Sequence, residues 1–271
     1  MRAAVQKIRL PHSASARAVH IEGAADAPVL FMTHSLLTTS AMWDRQADLL
    51  VRQGWRVVRA DTRGHGGSDA PPAPYSIDDL VADVVGIWDA LGIVKAHYLG
   101  LSLGGMTGFG LGIQYPDRLL SLCLCDARAD APADFAAPWD ERIAVVQRQG
   151  CAALATPTTE RWFGKTFLDA HPDIAAHFRE MACATATEGL VGCARAIQGL
   201  NYLKDVHKIK VPTTLIVGAN DAALPQAMQH LQGLIAGAKL TIIPGAGHLP
   251  NIDQADAFDK ALLDHLAWSR S

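Results

Sequence analysis

Short apolar runs bounded by turn residues alternate along this chain with longer stretches whose apolar positions recur every three or four residues. The runs at 18–22, 29–33, 55–60, 94–99, 119–125, 213–218 and 239–243 each predict a β-strand. Helical spacing predicts helices over 42–54, where Trp43, Ala47, Leu50 and Val51 share a face, and over 77–91 behind an N-capping Ser76. Further helices are predicted from 105 toward Pro116 and over 255–268. Strands alternating with helices imply an α/β fold, a mostly parallel central sheet with helices on both faces. Between 127 and 205 the rhythm changes: strand patterns stop, and helical stretches follow at 139–149, 172–184 and 188–199. That block reads as a helical cap inserted over the strand ends, where such sheets bind ligands. It divides one core into a first part, 1–126, and a second part, 206–271.

Composition narrows the partners. A chain of 271 residues can bury one large core, and 49% hydrophobic with 19% charged residues suits a packed domain. The net charge of −3 argues against nucleic acid, whose phosphates call for a basic surface. No apolar run approaches the ~20 residues of a membrane span, and residues 1–7 lack the apolar core of a signal peptide. Five cysteines, an odd number without metal-ligand spacing, fit free thiols in a reducing, cytoplasmic setting. Cys123 and Cys125 alternate with leucines, which puts both on one side of a buried strand. Nothing resembles a phosphate loop or a dinucleotide fingerprint, so no cofactor is expected, and no metal. A homo-oligomer stays open.

The chemistry is concentrated in Gly100-Leu101-Ser102-Leu103-Gly104. A predicted strand precedes it and a small-residue helix follows. Glycines two places either side leave room for a tight turn that exposes the Ser102 hydroxyl, the nucleophile elbow of the α/β-hydrolase fold. A serine becomes a nucleophile when an imidazole takes its proton, and that imidazole needs an acid to hold its tautomer. In this fold the acid and then the histidine follow in chain order. Asp221, in Gly218-Ala219-Asn220-Asp221, leaves one late strand, and His248, in Pro244-Gly245-Ala246-Gly247-His248, leaves the last. Both can converge above Ser102. Asp126, one strand earlier, competes as the acid, but a hinge or helix-start role suits it better.

Attack on a carbonyl creates an oxyanion that needs two N–H donors. These are expected from Leu103, next after the serine, and from Leu36, in the loop after 29–33. His34 in that loop is expected to shape it rather than to move protons. Asp61, Arg63 and His65 invite a metal reading, yet the glycines around them predict a tight turn held by side-chain hydrogen bonds.

Further segments carry a resemblance. They are Asp61-Thr62-Arg63-Gly64-His65-Gly66-Gly67-Ser68-Asp69-Ala70-Pro71-Pro72, then Pro74-Tyr75-Ser76-Ile77-Asp78-Asp79-Leu80, and the elbow through Gly105-Met106-Thr107-Gly108. With the cap pieces Trp139-Asp140-Glu141-Arg142-Ile143 and Glu160-Arg161-Trp162-Phe163, they resemble the 3-oxoadipate enol-lactonases. The likeness is close over 30–165 and positional beyond. It implies that Ser102 attacks the carbonyl of a small five-membered enol-lactone bearing an acetate arm. His248 then activates water against the acyl-enzyme. A compact anionic substrate also needs a cation, and arginine binds a carboxylate with a bidentate fork. Arg142, three residues after Trp139 and so on the same helix face, is the first candidate and Arg161 the second. Trp139 and Trp162 are expected to wall the pocket.

Two departures stand out. Those lactonases usually have glycine where this chain has Leu37, which narrows the acyl side of the pocket. Ala127-Arg128-Ala129-Asp130 replaces an Asn-Thr-Ala-type strand end, so Arg128 and Asp130 bring new charges to the base of the cap. The alternative readings are a broader carboxylesterase or perhydrolase acting on small esters, and a hydrolase-fold receptor for a small molecule with slow turnover.

Overall fold

The computed structural model describes residues 5–11, 13 and 15–270, so the amino-terminal segment read above lies outside the described residues at 1–4. Eight strands form one sheet: β1 (Val5–Arg9), β2 (Ala16–Glu22), β3 (Val29–Thr33), β4 (Arg56–Ala60), β5 (Ala96–Leu101), β6 (Leu119–Cys125), β7 (Thr213–Gly218) and β8 (Lys239–Ile243). Their spatial order is β1-β2-β4-β3-β5-β6-β7-β8. The pairs β1–β2 and β2–β4 are antiparallel, and every pair from β4 to β8 is parallel. A parallel sheet covered on both faces has strands that are apolar throughout. β5 and β7 accordingly bury every residue. The chain moves from β3 to β4 on one side and then to β5 on the other. The crevice for a ligand therefore opens at the carboxyl ends of β3 and β5.

The helices are α1 (Asp44–Arg52), α2 (Ile77–Ala90) and α3 (Leu103–Gln114), followed after β6 by α4 (Ala133–Ala136), α5 (Pro138–Gln149) and α6 (Ala152–Phe163). Then come α7 (Lys165–Ala170), α8 (Pro172–Ala184) and α9 (Thr187–Gln198), with α10 (Leu224–Leu234), α11 (Pro250–Asp253) and α12 (Ala255–Trp268) in the last part of the chain. Ser76 caps α2 as predicted, in a reciprocal box with Asp79. Beneath α2, Phe31 packs edge-on against Trp88 at 5.7 Å and parallel to Tyr98 at 6.3 Å. All five cysteines are free thiols, and Cys123 and Cys125 are buried in β6. Among the described residues no helix is long and apolar enough to cross a membrane.

Several boundaries differ from the sequence reading. The helix predicted over 42–54 starts as a 3₁₀ turn, Ser40–Trp43, capped by Thr39, and turns α-helical only at Asp44. The strand predicted at 94–99 runs from Ala96 to Leu101, because exposed Val94 belongs to the turn, where Arg118 Nε donates to its carbonyl at 2.8 Å. The helix predicted from 105 begins at Leu103, directly after Ser102. β1 carried no signal: it is an edge strand whose two apolar residues, exposed Val5 and buried Ile8, lie three apart and so do not alternate. α6 was hidden by Pro157 and the threonines around it, which dilute the helical period.

Candidate active site

Ser102 sits between β5 and α3 with φ 56° and ψ −112°, a backbone state that non-glycine residues enter at a cost of about 1–3 kcal/mol. The surroundings enforce it. A Cβ on Gly100 would stand 2.3 Å from the carbonyl oxygen of Gly104, and a Cβ on Gly104 would stand 2.5 Å from Thr33 Oγ1. Only glycine lets strand, turn and helix approach this closely. The Ser102 N–H donates to Cys125 O at 2.8 Å, tying the turn to β6. Ser102 faces a cavity of about 280 Å³.

His248 lies on the same cavity, on the loop after β8. Its N–H donates to Trp162 O at 2.9 Å, and its ring lies nearly parallel to the Trp162 indole at 6.5 Å. Helix α6 thus sets the histidine in place from above. His248 Nδ1 meets Asp221 Oδ2 at 2.6 Å, both side chains being buried. Burial pushes the Asp221 pKa up, but His248 and the other hydrogen bonds outweigh it and hold the carboxyl below its ordinary range. An ionised Asp221 only accepts, so Nδ1 carries a proton, and in the neutral imidazole the lone pair is then on Nε2.

Asp126 starts no helix, the next one beginning only at Ala133. It ends β6 at φ 45°, fully buried, with Oδ1 accepting the Gly218 N–H at 2.9 Å. Burial first, and Asp221 second, push its pKa far above the usual carboxylate range.

The loop after β3 supplies donors. The Leu37 N–H goes to His65 Nε2 at 3.1 Å, and the Ser35 N–H to Met42 Sδ at 3.4 Å. Leu36 N–H has no acceptor among the described residues. Nor has Leu103 N–H, an orphan donor at the first position of α3. His65 Nδ1 donates to Arg63 O, and burial takes its pKa down to about 3, so it stays a neutral acceptor. His34 accepts the Thr62 N–H at 2.9 Å and donates from Nδ1 to Ser35 O at 2.8 Å. Asp61 binds the Ser40 and Gly67 N–H groups, and Arg63 forks onto Asp83 at 2.8 Å. The turn predicted for Asp61, Arg63 and His65 is therefore held by side-chain hydrogen bonds, and it braces the Leu36 loop.

Arg142, Arg161, Trp139 and Trp162 also line the cavity, with Leu36, whereas the Leu103 side chain lies outside its wall. The Arg142 guanidinium stacks on Trp139 at 4.6 Å. Among the described residues neither Arg142 nor Arg161 forms an ion pair. Burial lowers both guanidinium pKa values, and for Arg161 the nearby Arg142 adds to the effect. Arg128, by contrast, is tied to Asp130 at 3.1 Å and lies over the Phe135 ring at 4.6 Å. Leu37, expected to narrow the pocket, and Arg128, expected at the base of the cap, lie on the wall, as do Asp126, which had been set aside as the acid, and Met106, for which there was no expectation. Met106 was within reach of the sequence, since it follows Ser102 by one helical turn.

Residues 28–255 match the family described as alpha/beta hydrolase fold. The chain is 32% identical over 241 residues to 3-oxoadipate enol-lactonase 2 of Acinetobacter baylyi, covering 89% of each protein. Among solved structures, the enol-lactonase from Burkholderia xenovorans LB400 superposes with a TM-score of 0.92 at 34% identity, covering 97% of this chain and 100% of that one. A thermophilic esterase from Thermogutta terrifontis gives a TM-score of 0.91 at 26% identity, covering 99% of this chain and 100% of its own.

Proposed function

The chain belongs to the alpha/beta hydrolase family, as an ester-hydrolysing enzyme resembling the 3-oxoadipate enol-lactonases, and we propose that it opens a small carboxylate-bearing lactone through Ser102, His248 and Asp221. The 2.6 Å bond between His248 Nδ1 and Asp221, on a cavity shared with the strained Ser102, carries this reading. With Nδ1–H given to Asp221, Nε2 takes the Ser102 proton as Oγ adds to the lactone carbonyl. The Leu36 and Leu103 N–H groups receive the oxyanion. Collapse breaks the ring C–O bond, and the imidazolium returns its proton to the departing enol oxygen. Water, losing a proton to Nε2, then attacks the same carbonyl. The second intermediate breaks its bond to Ser102 Oγ, which takes back the proton from Nε2, and the enol product tautomerises to a 3-oxo acid.

Arg142 and Arg161 hold the free carboxylate of the substrate. Two unpaired guanidiniums in one half-apolar cavity repel each other, and an anion relieves that cost. Residues 127–205 act as the cap that carries both arginines, closing over a core made of 1–126 and 206–271. A second reading, a broader carboxylesterase, is favoured by the similarity to the Thermogutta esterase.

One assay separates the two. Hydrolysis of 3-oxoadipate enol-lactone, followed by loss of its ultraviolet absorbance, is expected at kcat/KM of about 10⁴ M⁻¹s⁻¹ or higher. Negligible lactone turnover beside brisk cleavage of a neutral aryl acetate would favour the esterase. Ser102→Ala is expected to abolish both activities while the protein stays folded.

A further inference from the structure

The mechanism above leaves Asp126 idle, although its carboxyl is completely buried beside the pair that the mechanism uses. One oxygen each of Asp126 and Asp221 and one nitrogen of His248 lie within 4.8 Å of one another. Asp126 Oδ1 accepts from Gly218, whereas Oδ2 is sealed from solvent and receives no N–H among the described residues. An ionised carboxylate with a bare buried oxygen next to a second carboxylate would meet both desolvation and repulsion. A proton held on Asp126 and donated to Asp221 removes both costs. The direction of the two pKa values agrees, Asp126 being held neutral and Asp221 ionised. The left-handed backbone of Asp126, φ 45°, is one that aspartate and asparagine enter more readily than most residues.

We propose that Asp126 is a second acid behind His248: its O–H donates to Asp221 and steadies it against the imidazole, and its carboxylate replaces that of Asp221 when Asp221 is lost. The inference rests on the serine-hydrolase reading. In the intact enzyme the proton stays within the carboxyl pair, and Asp221 accepts both the Asp126 O–H and the His248 Nδ1–H. With an amide at position 221 the repulsion is gone and only burial still opposes ionisation, so Asp126 gives up its proton to solvent as the imidazolium that forms beside it in turnover supplies the opposite charge. It then faces an imidazole nitrogen across no more than 4.8 Å, a gap that side-chain rotation shortens. The charged and titratable groups around the pair are His248, Cys125 at the end of β6, Arg161 on α6 and Asp253 on α11, the last with its own pKa raised to about 6.

The test uses the full chain and a neutral aryl ester, so it does not depend on the lactone. Removing the acid of such a triad costs about 10⁴-fold in kcat. Asp221→Asn is expected to lose only roughly 10²- to 10³-fold, and the further change Asp126→Asn to restore the full loss of about 10⁴-fold. Equal rates in the single and double variants overturn the proposal.

A second measurement stands should those variants fail to fold: the pH dependence of kcat/KM in Asp126→Asn and Asp126→Gly. Both residues tolerate the backbone, but only the amide can still donate to Asp221. Without a donor Asp221 holds the imidazolium more strongly. The acid limb should therefore move up by about half a pH unit in Asp126→Gly and stay at the wild-type position in Asp126→Asn. Coincident limbs in all three proteins count against the role. Activity that survives Ser102→Ala would instead sink the serine-hydrolase reading, whereas an inactive Ser102→Ala with indistinguishable acid variants removes only Asp126.

Discussion

Leu37 occupies φ 63° with a buried side chain on the cavity wall and its N–H held by His65. Glycine would enter this conformation freely, while leucine pays a steric cost for it. Its bulk is a constraint on the acyl side of the pocket. Leu37→Gly should therefore raise kcat/KM for an aryl butyrate relative to an aryl acetate, and an unchanged ratio means that Leu37 does not bound the acyl group. Arg142 offers the complementary measurement. A charge-assisted hydrogen bond contributes about 1.5–3 kcal/mol, so Arg142→Ala should raise KM for the anionic lactone about 10- to 100-fold. The same substitution should leave KM for a neutral aryl acetate nearly unmoved. Equal effects on both substrates would assign Arg142 to packing against Trp139. The sequence made Arg142 a candidate through its spacing from Trp139. Its lack of an ion pair became visible only once the neighbouring acids had been placed.

Each element that reaches the site does so through its end. The loops after β3, β5, β6, β7 and β8 bring Leu36, Ser102, Asp126, Asp221 and His248 to one cavity, because parallel pairing in register sends all five strand ends the same way. The helices hold that register from outside. Ser76 and Asp79 cap α2, whose Asp83 binds both Arg17 of β2 and Arg63 of the turn after β4. Ser76→Ala should cost about 1 kcal/mol of stability, read as a lower urea midpoint with kcat intact. A fall in kcat at unchanged stability would show that α2 acts on the site directly. The α2 cap was legible because Ser76 precedes an apolar period. α6 was not legible, yet its last turn supplies the Trp162 carbonyl that holds His248.

Four histidines spread through the core, His34, His65, His97 and His265, are buried in neutral form. His97, His65 and His265 have pKa values taken down by burial to about 4, 3 and 3, and His34 is lowered as well. His97 and His265 share the Ser121 hydroxyl at 2.7 and 2.9 Å, and His265 reaches Thr214 at 2.9 Å, which binds α12 to β5, β6 and β7. An unfolded histidine takes up its proton near pH 6.5, while these folded ones resist it until much lower pH. The unfolded state therefore binds more protons in this window, and stability falls as pH drops from about 6.5 toward 4, by about 1.4 kcal/mol per pH unit for each net proton. Asp126 and Asp253, whose folded pKa values are raised, act in the opposite direction but are outnumbered by the four histidines. Urea midpoints between pH 7 and 4 should decline steadily, and a flat profile would contradict the neutral burial of these histidines. The sequence by itself determined the alternation of strands and helices, the Ser102 elbow and the chain order of Asp221 and His248. Those features are written in local period, in glycine sterics and in adjacency along the chain. Tertiary structure alone decided that Asp126 lies against Asp221, that His65 occupies the Leu37 N–H while the Leu36 N–H has no acceptor among the described residues, and that Arg142 and Arg161 share one cavity with no ion pair among those residues. These are contacts between residues far apart in sequence, and no local pattern encodes a distance that only the closing of the sheet creates.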